Sequence, residues 1–127
     1  MRKIINFLKE SLHQKIHGMS ADVDEIKDYV RGEIEEIISD NDLNIEIIDL
    51  YVHGSRIRGD HKDSSDLDVV LYYKGKMKED SLFNILHDEE YEDLFNYDGI
   101  EIDINPIHDE ETGSLKSYIE KDKNYKK

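Results

Sequence analysis

A chain of 127 residues with a formal net charge of −14, 37% hydrophobic residues and no cysteine can build one domain around a core of moderate size. The charge excludes a long nucleic acid as partner, because phosphate binding needs a basic surface, but it leaves room for a single nucleotide beside a metal ion. The lack of cysteine excludes disulfides and thiolate chemistry, and no apolar stretch approaches a membrane span.

In chain order, residues 3–17 predict a helix, with Ile4, Leu8 and Leu12 four apart and Ile5, Phe7 and Ile16 widening the stripe. These opening residues are charged throughout, without the apolar core of a signal peptide, so a cytoplasmic location is expected. A second helix follows "HGMSAD", capped by Ser20 or Asp22. Its apolar positions Val23, Ile26, Val30, Ile34 and Ile37 are three and four apart. "LNIEIIDLYVHG" is β-branched and aromatic, and reads as a strand ending at Gly54. "DLDVVLYY" reads as a second strand, buried on both faces. "EDSLFNILHD" predicts a short helix capped near Asp80 or Ser81. "GIEIDINPI" alternates strictly, with Ile100, Ile102 and Ile104 on one face and Glu101, Asp103 and Asn105 on the other. Pro106 is expected to stop this strand's ladder. "TGSLKSYIEKDKNYKK" predicts a terminal helix with Leu115, Tyr118 and Ile119 turned inward. The order is that of a small α/β (α+β) domain, a mixed sheet packed by helices. Residues 1–127 form one domain on this reading, residues 1–19 a helical extension and 20–127 the core.

One stretch resists explanation by packing alone. Asp66 and Asp68 open an apolar strand, and Asp103 lies in another. Buried charges are costly unless paired or bound to metal. If the two strands are neighbours, three carboxylates converge and need a counter-charge. Mg²⁺ is the ion suited to carboxylates plus phosphate oxygens.

The segment "HGSRIRGDHKDSSDLDVVLYY" resembles the signature of the DNA polymerase β-type nucleotidyltransferase superfamily, in its minimal branch. There a Gly-Ser pair is followed by ten residues and then Asp-x-Asp, and Gly54, Ser55, Asp66 and Asp68 match without a gap. The family's third carboxylate lies on a later alternating strand, where Asp103 fits and Glu101 competes on the same face. The resemblance covers roughly residues 50–106. It implies a core with Asp66, Asp68 and Asp103 as catalytic residues and ligands of two Mg²⁺ ions, which Mn²⁺ can replace. Paired metals clamp the attacking and leaving oxygens at phosphorus. Asp103 would also help deprotonate the attacking hydroxyl. Gly54 lets backbone approach a phosphate and Ser55 adds a hydroxyl donor, or caps a helix. Arg56 and Arg58 stand where a guanidinium could steady the triphosphate, although both are also ordinary ion-pair partners in so acidic a chain. His53 reads as packing.

The activity implied is transfer of a nucleoside monophosphate, AMP from ATP, to a hydroxyl. Relatives in this superfamily include antitoxins that transfer AMP to a tyrosine of a HEPN-type toxin, and enzymes that modify aminoglycosides. The latter usually carry an additional helical domain, whereas this chain shows one short terminal helix, which favours a protein acceptor. The alternatives are an inactive neutraliser that works by binding its partner, and a nucleotide-binding module without transfer.

Overall fold

The computed structural model describes residues 15–62 and 65–125. The expected helix at residues 3–17 lies outside these residues up to position 14. Lys15–His17 are not helical: Lys15 forms an isolated bridge with Asp22, and Ile16 is buried in the core.

Helix α1 (Val23–Asp40) starts at Asp22, whose carboxylate accepts from the Glu25 N–H at 2.9 Å while the Glu25 side chain reaches back to the Asp22 N–H. This reciprocal cap is worth about 1 kcal/mol. Its buried stripe is Ile26, Val30, Ile34 and Ile37, and each such side chain contributes about 1.5–3 kcal/mol when removed from water. Strand β1 (Ile45–His53) is followed by a one-turn helix α2 (Ser55–Arg58), then strand β2 (Leu67–Gly75) and helix α3 (Glu79–Leu86). A 3₁₀ turn (Glu89–Tyr91) and a two-residue strand β3 (Asn96–Tyr97) precede strand β4 (Ile100–His108) and helix α4 (Leu115–Tyr125). The result is an α+β fold with a mixed four-stranded sheet in the order β1-β2-β4-β3. β1 and β2 are antiparallel, β2 and β4 parallel, and β3 and β4 antiparallel. No helix among the described residues is long and apolar enough to cross a membrane.

The central strand β2 is buried on both faces, as its apolar run requires. Leu67, Val69, Leu71 and Tyr73 share one core with Ile102 and Ile104 of β4, the stripe of α1, and Leu82 and Leu86 of α3. On the opposite face Asp68, Val70 and Tyr72 alternate with them, and α4 lies on this side. Its Tyr118 ring meets His53 edge-on at 6.3 Å, and its hydroxyl accepts from Asn105 Nδ2 at 3.4 Å. The sheet thus separates a hydrophobic face from a polar one.

Two expectations about element ends are corrected. α3 is preceded by Lys78, which makes no side-chain cap, and not by Asp80 or Ser81. The first helical amide, that of Glu79, donates instead to Glu111 Oε2 at 2.8 Å. Pro106 does not end its ladder: β4 continues to His108, with Pro106 opposite Leu71. The Ile102 N–H donates to Phe95 on the side away from β2. By the two-residue period the Pro106 nitrogen faces that same side, where β3 no longer runs, so no ladder bond is lost.

Candidate active site

The polar face is organised by register. His53 of β1 stands opposite Asp68 of β2, and Asp68 stands opposite Asp103 of β4. Neighbouring strands lie about 4.8 Å apart, so these three side chains form one row across the sheet. Asp66 lies just before β2, exposed at the mouth. Asp103, and not Glu101, is the residue aligned with Asp68. Glu101 pairs instead with Asn96 of β3.

Gly54 is what lets this row close up. Its φ of +104° and ψ of −165° fall in a region open essentially to glycine alone. A Cβ there would also sit 2.5 Å from Asp68 Oδ2. The backbone of Gly54 therefore forms one wall of the space that holds the Asp68 carboxylate. Gly54 is also the residue that begins α2, so Ser55 is the first helical residue and not the cap.

Burial pushes the Asp68 carboxyl above the usual carboxylate range. His53 and Arg58 pull it back, while the charges of Asp103 and Asp66 push it further up. The three carboxylates thus repel one another across the row, and a cation among them would relieve that repulsion. Among the described residues no three acidic or histidine side chains stand close enough together to hold a metal ion as they are. Mg²⁺ is bound through one or two carboxylates together with phosphate oxygens. Asp68 and Asp103 in adjacent strands, with Asp66 two residues away, fit that demand.

The two arginines part company. Arg56 is 3% exposed and its guanidinium donates to backbone carbonyls: Nε to Ser65 at 2.9 Å, Nη1 to His17 at 2.9 Å and Nη2 to Lys62 at 3.4 Å. It turns inward and staples the strand-to-strand loop to the segment before α1, which corrects its expected place on a triphosphate. A Cβ at Gly18, whose φ is +83°, would fall 2.4 Å from Arg56 Nη1, so that glycine makes room for the guanidinium. Arg58 is exposed, pairs with Asp60 at 3.3 Å, and is the arginine whose charge Asp68 feels.

Two histidines complete the surroundings. His53 stacks on Tyr51 with ring centroids 5.3 Å apart, and it faces Asp68 through the register described above. His87 follows α3. Its Nδ1 lies 2.8 Å from the Phe83 carbonyl oxygen and its Nε2 3.0 Å from Asp103 Oδ1. Nothing in the sequence near His87 marks it, because Asp103 is sixteen residues away. His53 carried a local signal, its place beside Gly54, but not the register that puts it opposite Asp68.

Two cavities flank the carboxylates. One of about 390 Å³ is lined by Ser65, Asp66, Asp93, Asn96 and Glu101 among others. The other, of about 330 Å³, has Leu86, Tyr91, Phe95 and Ile104 in its wall and His87, Glu89, Glu92 and Glu101 as charged or polar members.

A protein-family model described as "Polymerase beta, Nucleotidyltransferase" matches residues 32–124. No curated protein and no solved structure matches the chain.

Proposed function

Because the chain belongs to the polymerase β nucleotidyltransferase family, we propose that it transfers AMP from ATP to a hydroxyl of a protein acceptor, in the manner of the minimal branch, with Mg²⁺ as cofactor. Nucleotidyl transfer in general follows from the family. The acceptor and the nucleotide belong to the proposal. The observation that supports it is the alignment of Asp68 with Asp103 beside the Gly54 backbone.

Asp66, Asp68 and Asp103 are the ligands in this reading, and the ions when bound would clamp the attacking and leaving oxygens of an in-line displacement. The chain's own residues do the rest. Gly54 keeps a side chain out of the space beside Asp68. Ser55 offers a hydroxyl to a phosphate oxygen. Arg58 supplies the nearby cation that Arg56 does not. Asp103, exposed on the same row, accepts the proton of the attacking hydroxyl, and pyrophosphate departs. The exposure of Asp66 and Asp103 suits an acceptor as large as a protein, and a net charge of −14 complements a basic one. A HEPN-type toxin is the partner proposed.

A second reading is a neutraliser that binds its partner without chemistry. The observation that favours it is that, among the described residues, no three ligands gather unaided. Intact mass of the protein encoded beside this chain, after incubation with Mg²⁺ and each nucleoside triphosphate, decides between them. Addition of one nucleoside monophosphate, absent with Asp68→Asn, supports transfer. Tight complex formation with no mass change, unaffected by Asp68→Asn, overturns it in favour of the neutraliser.

A further inference from the structure

His87 makes a contact through each ring nitrogen and through its ring face: Nδ1 lies against the Phe83 carbonyl, the ring lies on the Phe83 ring with centroids 3.9 Å apart at 21°, and Nε2 meets Asp103. The helix that carries it is clamped to β4 at both ends. At its start the Glu79 carboxylate accepts from the His108 N–H at 2.7 Å and from the Thr112 hydroxyl. At its end His87 reaches Asp103. Between them Leu82 and Leu86 are buried in the core. The eight helical steps from Glu79 to His87 rise about 12 Å at about 1.5 Å each. The five strand steps from His108 back to Asp103 span about 16 Å at about 3.3 Å each. The helix is therefore strapped antiparallel along the strand, which fixes the backbone of His87 beside Asp103.

Asp103 needs such a tether. Its side chain is 52% exposed, and a solvated carboxylate samples several rotamers unless something selects one. We propose that His87 is a positioning residue for the third carboxylate: it holds Asp103 Oδ1 so that the other oxygen is presented to a divalent cation. The inference rests on the metal-dependent reading of the site given above. Histidine and carboxylate partners behind a ligand commonly set its affinity within a factor of about 10–100, and His87 stands in that relation to Asp103.

The probe is Mn²⁺ alone, titrated calorimetrically into the full chain, then repeated with ATP present. Asp103→Asn should remove one binding event and so identify it. His87→Ala should weaken that same event about 10- to 100-fold, with little change in melting temperature, since Leu82 and Leu86 stay in place. His87→Gln, whose amide keeps a donor, should recover most of the loss. In the Asp103→Asn background His87→Ala should change nothing further, because the two act as one unit. Unaltered Mn²⁺ binding by His87→Ala, or an equal loss in the presence and absence of Asp103, overturns the positioning role while leaving metal-dependent transfer standing. Failure of the unaltered chain to bind Mn²⁺ with or without ATP overturns the metal-dependent reading itself, and this inference with it.

Discussion

Gly54→Ala tests the geometry of the site most directly, because two independent costs fall on one methyl group. The first is conformational. At φ +104° and ψ −165° a residue with a Cβ is strained by about 1–3 kcal/mol. With roughly 4 °C of melting temperature per kcal/mol at this chain length, the loss is about 4–12 °C. The second is steric. The new Cβ would lie 2.5 Å from Asp68 Oδ2, half an ångström inside the 3.0 Å that real Cβ contacts essentially never breach. A carboxylate end can swing away at small cost in stability. It cannot do so and keep its place, and displacements on the order of 1 Å cost about a hundredfold in rate. The expected result is a folded protein with a moderately lowered melting temperature, Mn²⁺ affinity clearly reduced, and transfer down about ten- to a hundredfold. Thermal unfolding, Mn²⁺ calorimetry and labelled-AMP transfer measure the three. A variant with wild-type metal binding and transfer would refute the claim that Gly54 is there to admit Asp68, whatever its stability.

Mg²⁺ or Mn²⁺ should raise the melting temperature, and ATP should raise it further only with metal present, by linkage; Asp68→Asn should abolish both effects. Burial, with Asp103 and Asp66 adding to it, raises the Asp68 pKa in the folded state. Its protonated form therefore favours the fold, a contribution present below the ordinary carboxylate range and lost as pH rises through the raised value. Apo Asp68→Asn should accordingly be the more stable protein near neutral pH, and the gap should close in acid; a gap that widens in acid would contradict the assigned sign. Arg56→Ala should cost on the order of 3 kcal/mol by removing three hydrogen bonds of about 1 kcal/mol each, whereas Arg58→Ala should leave urea unfolding unchanged and weaken nucleotide binding. Asp103→Asn should retain nucleotide affinity and lose transfer, and Glu101→Gln should change neither; the reverse pattern would show that the wrong acid of β4 has been chosen. In a gel shift at physiological salt the chain should bind neither DNA nor RNA below about micromolar protein, and tight, salt-sensitive binding would revive a polymer substrate.

What could be read in advance followed from periodicity and spacing. The stripe of α1, the doubly buried β2 and the alternation of β4 are local patterns, and each element formed where its pattern lies. Gly54-Ser55 and the two aspartates of Asp-x-Asp are recognisable by spacing, whereas alternation puts Glu101, Asp103 and Asn105 on one face and only the family resemblance favours Asp103 among them. Features that depend on a distant partner were not legible. Arg56 and Arg58 are two residues apart and chemically alike, yet one is buried against His17, Lys62 and Ser65 and the other lies in solvent. Only the packed loop decides which. The start of α3 is not legible locally because the amide partner, Glu111, comes from beyond β4. The stop expected at Pro106 fails because a sequence does not say which flank of a strand is vacant. The two-residue β3 was too short to leave any pattern.

The pairing of β2 with β4 has a consequence for how errors in assembly would show. Asp68 meets Asp103 in the same alignment that sets Leu67 against Ile102 and Val69 against Ile104. Because successive side chains point to opposite faces, sliding β4 by one residue would put an isoleucine beside Asp68 and drive Asp103 into oil. A slipped chain is thus both inactive and grossly unstable. The greasy side of the sheet acts as a ruler for the charged side. Quality control that senses exposed apolar surface would, for this protein, also be screening for a correctly assembled row of acids.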